Sequence, residues 1–128
     1  MAERKYEGFL PGQHAIEAYG SGGFRFGEMS HRGSILALPS GVRIWTVDDV
    51  SRLAEDSLEP LFEEPAGAVQ FLLIGTGAVM RPIPSALRQR LRAAGIGVDA
   101  MATGHAVSTY NIMLGERRPV AAALIGAP

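Results

Sequence analysis

The apolar positions of this chain fall into runs of two kinds, and their order outlines a fold. Val69-Gln-Phe-Leu-Leu-Ile74 and Val120-Ala-Ala-Ala-Leu-Ile125 are almost unbroken apolar stretches of strand length, the pattern expected where both faces of a sheet are covered. Between them, residues 85–94 place Ala86, Leu87, Leu91 and Ala94 inward on a helix, with Ser85 as its N-cap and Gly95 as its left-handed stop. Residues 97–101 read as a short strand. Residues 103–114 read as a second helix, N-capped by Thr103, with Ala106, Val107, Tyr110, Met113 and Leu114 as a wide apolar face. Strand, helix, strand, helix, strand in that order predicts α/β packing with helices against the sheet.

The first third has a different rhythm. Residues 15–19 alternate as a strand, Gly20-Ser-Gly-Gly23 is a turn, and Phe24-Arg-Phe26 alternates aromatic with charged as a half-buried strand does. Residues 33–39 and 42–45 predict a hairpin around Pro39-Ser-Gly41, which makes the region a small β-rich unit. Thr46 and Asp49 have the spacing of a capping box, predicting a helix with Val50, Leu53 and Ala54 inward, and Pro60 and Pro65 confine the helix around Leu61-Phe62. Residues 1–14, broken by Gly8, Pro11 and Gly12, predict a flexible leader before a single domain at 15–128.

Composition narrows the function classes. A chain of 128 residues, 47% apolar and 20% charged, suits one domain with one core, and its net charge of −1 offers no overall attraction to nucleic acid or acidic membranes. Charge is segregated: Asp48, Asp49, Glu55, Asp56, Glu59, Glu63 and Glu64 crowd one stretch, while Arg81, Arg88, Arg90 and Arg92 stand in another with no acid. The absence of cysteine excludes disulfides, thiolate metal sites and thiol catalysis. With no secretory apolar core near the N-terminus and no run able to span a bilayer, the expectation is a soluble cytoplasmic protein.

Candidate chemistry centres on Gly75-Thr76-Gly77, placed after a buried strand where α/β proteins often bind ligands. A dinucleotide fingerprint would need a third glycine where Met80 stands, and Pro82 and Pro84 delay the following helix; Asp99, 24 residues after Gly75, only mimics the ribose-binding acid. The loop can therefore be a backbone nest for an anion or simply a tight turn. The start of the second helix at Thr103 can cap itself or hold an anion. Asn111, an amide in mid-helix, is either solvated or kept for its hydrogen bonds. His105 and Ser108 lack an orienting acid, and His14, His31 and His105 are scattered, so neither a catalytic set nor a metal site is predicted. Glu116 and Arg117 lie in the turn before the last strand, where Arg117 has a route back towards the glycine loop. Gly75, Thr76, Gly77, Thr103, Asn111, Glu116 and Arg117 are thus the candidate ligand- or partner-binding residues, with no catalytic residue and no cofactor. Arg88, Arg90 and Arg92 occupy alternating positions of one helix, cannot all be buried beside Leu87 and Leu91, and form a candidate docking surface for an acidic partner.

Gly75-Thr-Gly77, Pro84, Gly95-Ile96, Met101, Thr103, Ala106, Thr109-Tyr-Asn111, Leu114, Glu116, Arg117, Val120 and Ala122 together form a long and unusual pattern. In it the chain resembles a family of small α/β proteins of unknown biochemical activity that includes the mitochondrial respiratory complex I assembly factor 3. The resemblance runs from about Ile16 to Ile125 and is strongest after Val69. It implies a three-layer fold in which a central mixed five-stranded sheet, with one strand antiparallel, carries flanking helices and a small β-rich N-terminal subdomain. It also implies a non-enzymatic protein-binding factor that assists assembly of respiratory complex I (NADH dehydrogenase), with a respiratory subunit or assembly factor as partner. The alternative is a small-molecule or anion-binding protein, catalytic or not, using the Gly75-Thr76-Gly77 loop. The Arg-rich presequence of the mitochondrial relative is absent, as expected of a bacterial protein.

Overall fold

In the computed structural model, which describes residues 8–128, side-chain alternation along one sheet sorts the apolar residues into two cores. The chain begins with β1 (Phe9–Pro11) and a meander of β2 (Ala18–Gly20), β3 (Gly23–Phe26) and β4 (Met29–Arg32), then a hairpin of β5 (Ile35–Leu38) and β6 (Gly41–Ile44). Two 3₁₀ turns, Val50–Arg52 and Glu55–Leu58, lead into the single-turn α1 (Glu59–Phe62). The rest is β7 (Phe71–Gly75), α2 (Ser85–Ala93), β8 (Gly97–Met101), α3 (Thr103–Gly115) and β9 (Val120–Leu124).

Among the described residues the main sheet has six strands in the order β1-β6-β5-β9-β7-β8, and β2, β3 and β4 form a separate sheet of three. β7, β8 and β9 are parallel, while β5 runs antiparallel to both β9 and β6, and β1 antiparallel to β6. The step from β7 to β8 and the return from β8 across β7 to β9 go in opposite directions. Right-handed crossovers therefore put α2 and α3 on opposite faces. Leu36, Leu38, Leu72, Ile74, Ala121 and Ala123 face α2, the 3₁₀ turns and Trp45, whose indole N–H donates to the Ser57 carbonyl at 2.8 Å. Ile35, Ala37, Leu73, Val120, Ala122 and Leu124 face α3 and the small sheet, which contributes Phe24, Phe26 and Met29. The alanines of β9 let both covering layers approach the most central strand.

The three-layer α/β reading holds, with corrections in detail. The sheet has six strands rather than five, and two of them, β1 and β5, run against the others. The β-rich first third is divided, because β1, β5 and β6 extend the main sheet and only β2 to β4 stand apart. Part of the expected leader lies outside the described residues, but from Phe9 the chain is structured: β1 pairs with β6, and Leu10 is buried. β4 escaped prediction because the turn before it is a two-residue loop, Gly27-Glu28, whose positive φ values of 49° and 65° are natural for Gly and unusual for Glu.

Helix starts also differ. The stretch after Thr46 is a 3₁₀ turn capped by Asp49, which accepts from the Ser51 N–H at 2.9 Å; hydrogen bonding from the Ser51 side chain, and then from its N–H, holds the Asp49 carboxyl below its usual range. Ser85 and Thr103 are the first residues inside α2 and α3, and Pro84 and Ala102 stand at the cap positions with no side chain to donate or accept. Ala86 and Ala94 are exposed, leaving Leu87 and Leu91 as the buried stripe of α2. Gly95 takes the left-handed conformation at φ 77° that ends α2.

Candidate functional site

The Gly75-Thr76-Gly77 loop lies at the C-terminal end of the parallel strands, where open α/β sheets usually offer a ligand crevice. Here that end is sewn into the protein. The Thr103 hydroxyl, fully buried, donates to the Ile125 carbonyl at 2.7 Å and accepts the Gly77 N–H at 2.9 Å, while the Thr103 N–H donates to the Gly77 carbonyl at 2.8 Å. The Thr76 hydroxyl donates to the Val79 carbonyl at 2.7 Å and accepts the Arg81 N–H at 3.0 Å, and the Thr76 N–H reaches the Met101 carbonyl at 2.9 Å. Gly75 is required by close approach, since a Cβ there would stand 2.9 Å from the Thr103 hydroxyl oxygen; Gly77 is required by its φ of 102°. At the start of α3, Tyr19 from the small sheet lies against Gly104, where its hydroxyl occupies the place a Cβ would take.

Asn111 sits two turns further along α3 and grips a backbone. Its amide accepts from the Ile16 N–H at 2.9 Å and donates to the Ile16 carbonyl at 2.8 Å, so one side chain supplies both bonds that a neighbouring strand would. Next to it the fully buried Tyr110 donates its hydroxyl to the His14 carbonyl at 2.9 Å, and Gln13 donates to the Val120 carbonyl at 3.1 Å. Burial pushes the Tyr110 phenol far above its ordinary range, partly opposed by a hydrogen bond with the Gln13 side chain. Three neighbouring polar groups thus fix the segment entering the small sheet.

Glu116 and Arg117 are at the other end of α3. Arg117 takes a left-handed conformation, φ 59°, and with Arg118 returns its N–H to the last turn, bonding the Leu114 and Met113 carbonyls at 2.9 and 3.1 Å. Glu116 pairs with Arg118 at 3.7 Å on the surface, and Arg118 lies 4.7 Å above the ring of Phe71, at the start of β7. The length of a 13-residue helix, about 1.5 Å per residue, separates this turn from the glycine loop. Gly75, Thr76, Gly77 and Thr103 therefore meet; Asn111, Glu116 and Arg117 do not join them.

The arginines of α2 are all exposed, but they divide. Arg90 stacks on Phe62, its guanidinium carbon 3.9 Å from the ring centroid. Arg88 and Arg92 turn to the other side and line a hollow of about 420 Å³ with Gly95, Ile96, Gly97 and Val98. A second hollow of about 300 Å³ lies on the opposite face of the same strand, between Phe71, Leu73, Asp99, Thr109 and Met113. Residue patterns marked residues 97–101 as a strand, β8, but not as the border of the sheet between these hollows, because strand order is not written in periodicity.

Comparison with known proteins adds a second line of observation. Residues 16–125 match the profile of a family described as a protein of unknown function (DUF498/DUF598). An uncharacterized protein of Rhodobacter capsulatus is 36% identical over 131 residues, covering all of this chain and 95% of that protein. The human NADH dehydrogenase [ubiquinone] 1 alpha subcomplex assembly factor 3 is 32% identical over 113 residues, covering 88% of this chain and 61% of the human protein, so the match spans about three-fifths of the assembly factor. A crystal structure described as an outer membrane protein from Bartonella henselae superposes with a TM-score of 0.88 at 41% identity, covering 93% of this chain and 99% of that one.

Proposed function

Because the chain belongs to the family of unknown function DUF498/DUF598 and is related across that family to respiratory assembly factors, we propose that it is a non-enzymatic protein-binding factor that assists assembly of NADH dehydrogenase. The observation that carries this reading is the similarity to the assembly factor over 88% of the chain. The site geometry supports it from another side. The hydroxyls of Thr76 and Thr103 and the Gly77 N–H are taken up in holding β7, α3 and β9 together. Arg88 and Arg92, by contrast, are exposed and make no ion pair among the described residues. A docking surface on α2 and its flank suits an acidic partner, with electrostatics acting on association rate and specificity.

Among the described residues no helix is long and apolar enough to cross a membrane, so in this reading the protein reaches the membrane-bound complex through its partner. The test is a deletion strain of the source organism examined on native gels for NADH dehydrogenase. The expected outcome is accumulation of a subassembly with less mature complex, restored by the intact gene and poorly by the triple change Arg88→Glu, Arg90→Glu and Arg92→Glu. Normal assembly in the deletion strain removes the proposal.

A further inference from the structure

Of the two borders of the main sheet, β1 carries Pro11, which has no N–H to offer a further strand. Among the described residues the other border, β8, pairs with β7 alone, and it contains no proline. The Gly97 N–H donates to the Gln70 carbonyl, and the Met101 carbonyl accepts from the Thr76 N–H, both at 2.9 Å. In a parallel ladder of that register, Gly97, Asp99 and Met101 use their backbone groups towards β7, so the N–H and C=O of Val98 and Ala100 point outward. An added strand would find four backbone groups already aligned. It would also run between the two hollows, one lined by Arg88 and Arg92, the other by Phe71, Leu73 and Met113.

We propose that the open edge of β8 takes up an extended segment of a partner protein in which acidic residues alternate with apolar ones. The inference rests on the protein-binding reading above and names the recognition mode. Alternate side chains of an added strand point to opposite faces. One set of positions therefore lies beside Arg88 and Arg92, which make no ion pair among the described residues, and suits carboxylates. The other set lies over the mainly apolar hollow beneath Met113 and suits branched aliphatic side chains. A second copy of this chain fits worse. Antiparallel pairing of β8 with itself about Asp99 sets carboxylate against carboxylate in the closest type of cross-strand pair, and the two-fold axis, normal to the sheet, brings two arginine-bearing α2 helices together on one face.

The test uses the full chain, labelled with ¹⁵N, and three capped octapeptides: alternating Glu-Val, alternating Lys-Val, and an isomer of the first with all Glu preceding all Val. The Glu-Val peptide should shift the Val98 and Ala100 amides and slow their hydrogen exchange by about tenfold or more, whereas the other two should leave them unchanged. Ala100→Pro removes one outward N–H without touching the β7 ladder and should abolish the effect in a folded protein. Should that variant fail to fold, the double change Arg88→Glu and Arg92→Glu decides by reversing the preference towards Lys-Val. Unaltered exchange at Val98 and Ala100 overturns strand addition, as does protection without peptide in a sample that sediments as a dimer. Either result leaves the assembly role to be decided by the native gels.

Discussion

Asn111 and Tyr110 show how polar residues in one helix can organise a distant stretch of chain. An asparagine in mid-helix forgoes some helix propensity, and here it supplies both bonds to the backbone of Ile16, a residue only 2% exposed. Asn111→Ala should leave that N–H and C=O unmet and cost about 1–3 kcal/mol, read as a lowered urea midpoint; an unchanged midpoint would show that water replaces the amide without loss. Tyr110 sets a limit on alkaline stability. Its folded phenol is held neutral well above the ordinary range, so its contribution is complete below the unfolded pKa and declines as pH rises past about 10. From about pH 10 to about pH 12 the intact protein should lose stability with a slope approaching ~1.4 kcal/mol per pH unit from this group. Tyr110→Phe should be less stable at neutral pH but flatter across that window, and an equal slope in the two proteins would refute the assignment.

Among the elements, the junction of β7, α3 and β9 depends on Thr103. Its hydroxyl was expected to cap α3, but the ends of β7 and β9 close over the helix start and draw it outward to Ile125 and Gly77 instead. Thr103→Val keeps the shape and removes one donor and one acceptor in a buried position, so a loss of about 1–3 kcal/mol is expected. Exchange at the Gly77 amide should rise more than at Leu72 in the middle of β7; a uniform rise would mean that the loop has no local role. The elements themselves were readable where one periodicity dominated, as in β7, α2, α3 and β9. Short pieces were not: the stretch after Thr46 has helical spacing for barely one turn, and it settles as two 3₁₀ turns, the second held where the Trp45 indole N–H donates to the Ser57 carbonyl.

For the molecule as a whole, the segment before the small sheet acts as a strap. Phe9–Pro11 pair with β6, Leu10 and Ile16 are buried in the core beside α3, and the His14 and Ile16 carbonyls accept from Tyr110 and Asn111. A chain starting at Ala18 should therefore lose roughly 3 kcal/mol or more, the sum expected for two buried aliphatic side chains and their hydrogen bonds. Urea denaturation of the shortened chain checks this, and an unchanged midpoint would show that these contacts add nothing to stability. The strap also explains why α3 tolerates polar residues on the side that faces it.

Local pattern was sufficient for the α/β class, the two helices and the most buried strands, because burial on one or both faces leaves a periodic trace in neighbouring residues. The glycine loop was also visible, since Gly75 and Gly77 answer to close approach and to positive φ. Its use was not visible: whether Thr76, Thr103 and Asn111 serve a ligand or the fold depends on which carbonyls and N–H groups stand opposite them, and those come from residues as far as 95 positions away. The same holds for the open edge of β8 and for the division of the α2 arginines. Strand order and the faces chosen by crossovers are global outcomes of packing, and no short window of sequence contains both partners of the contacts that decide them.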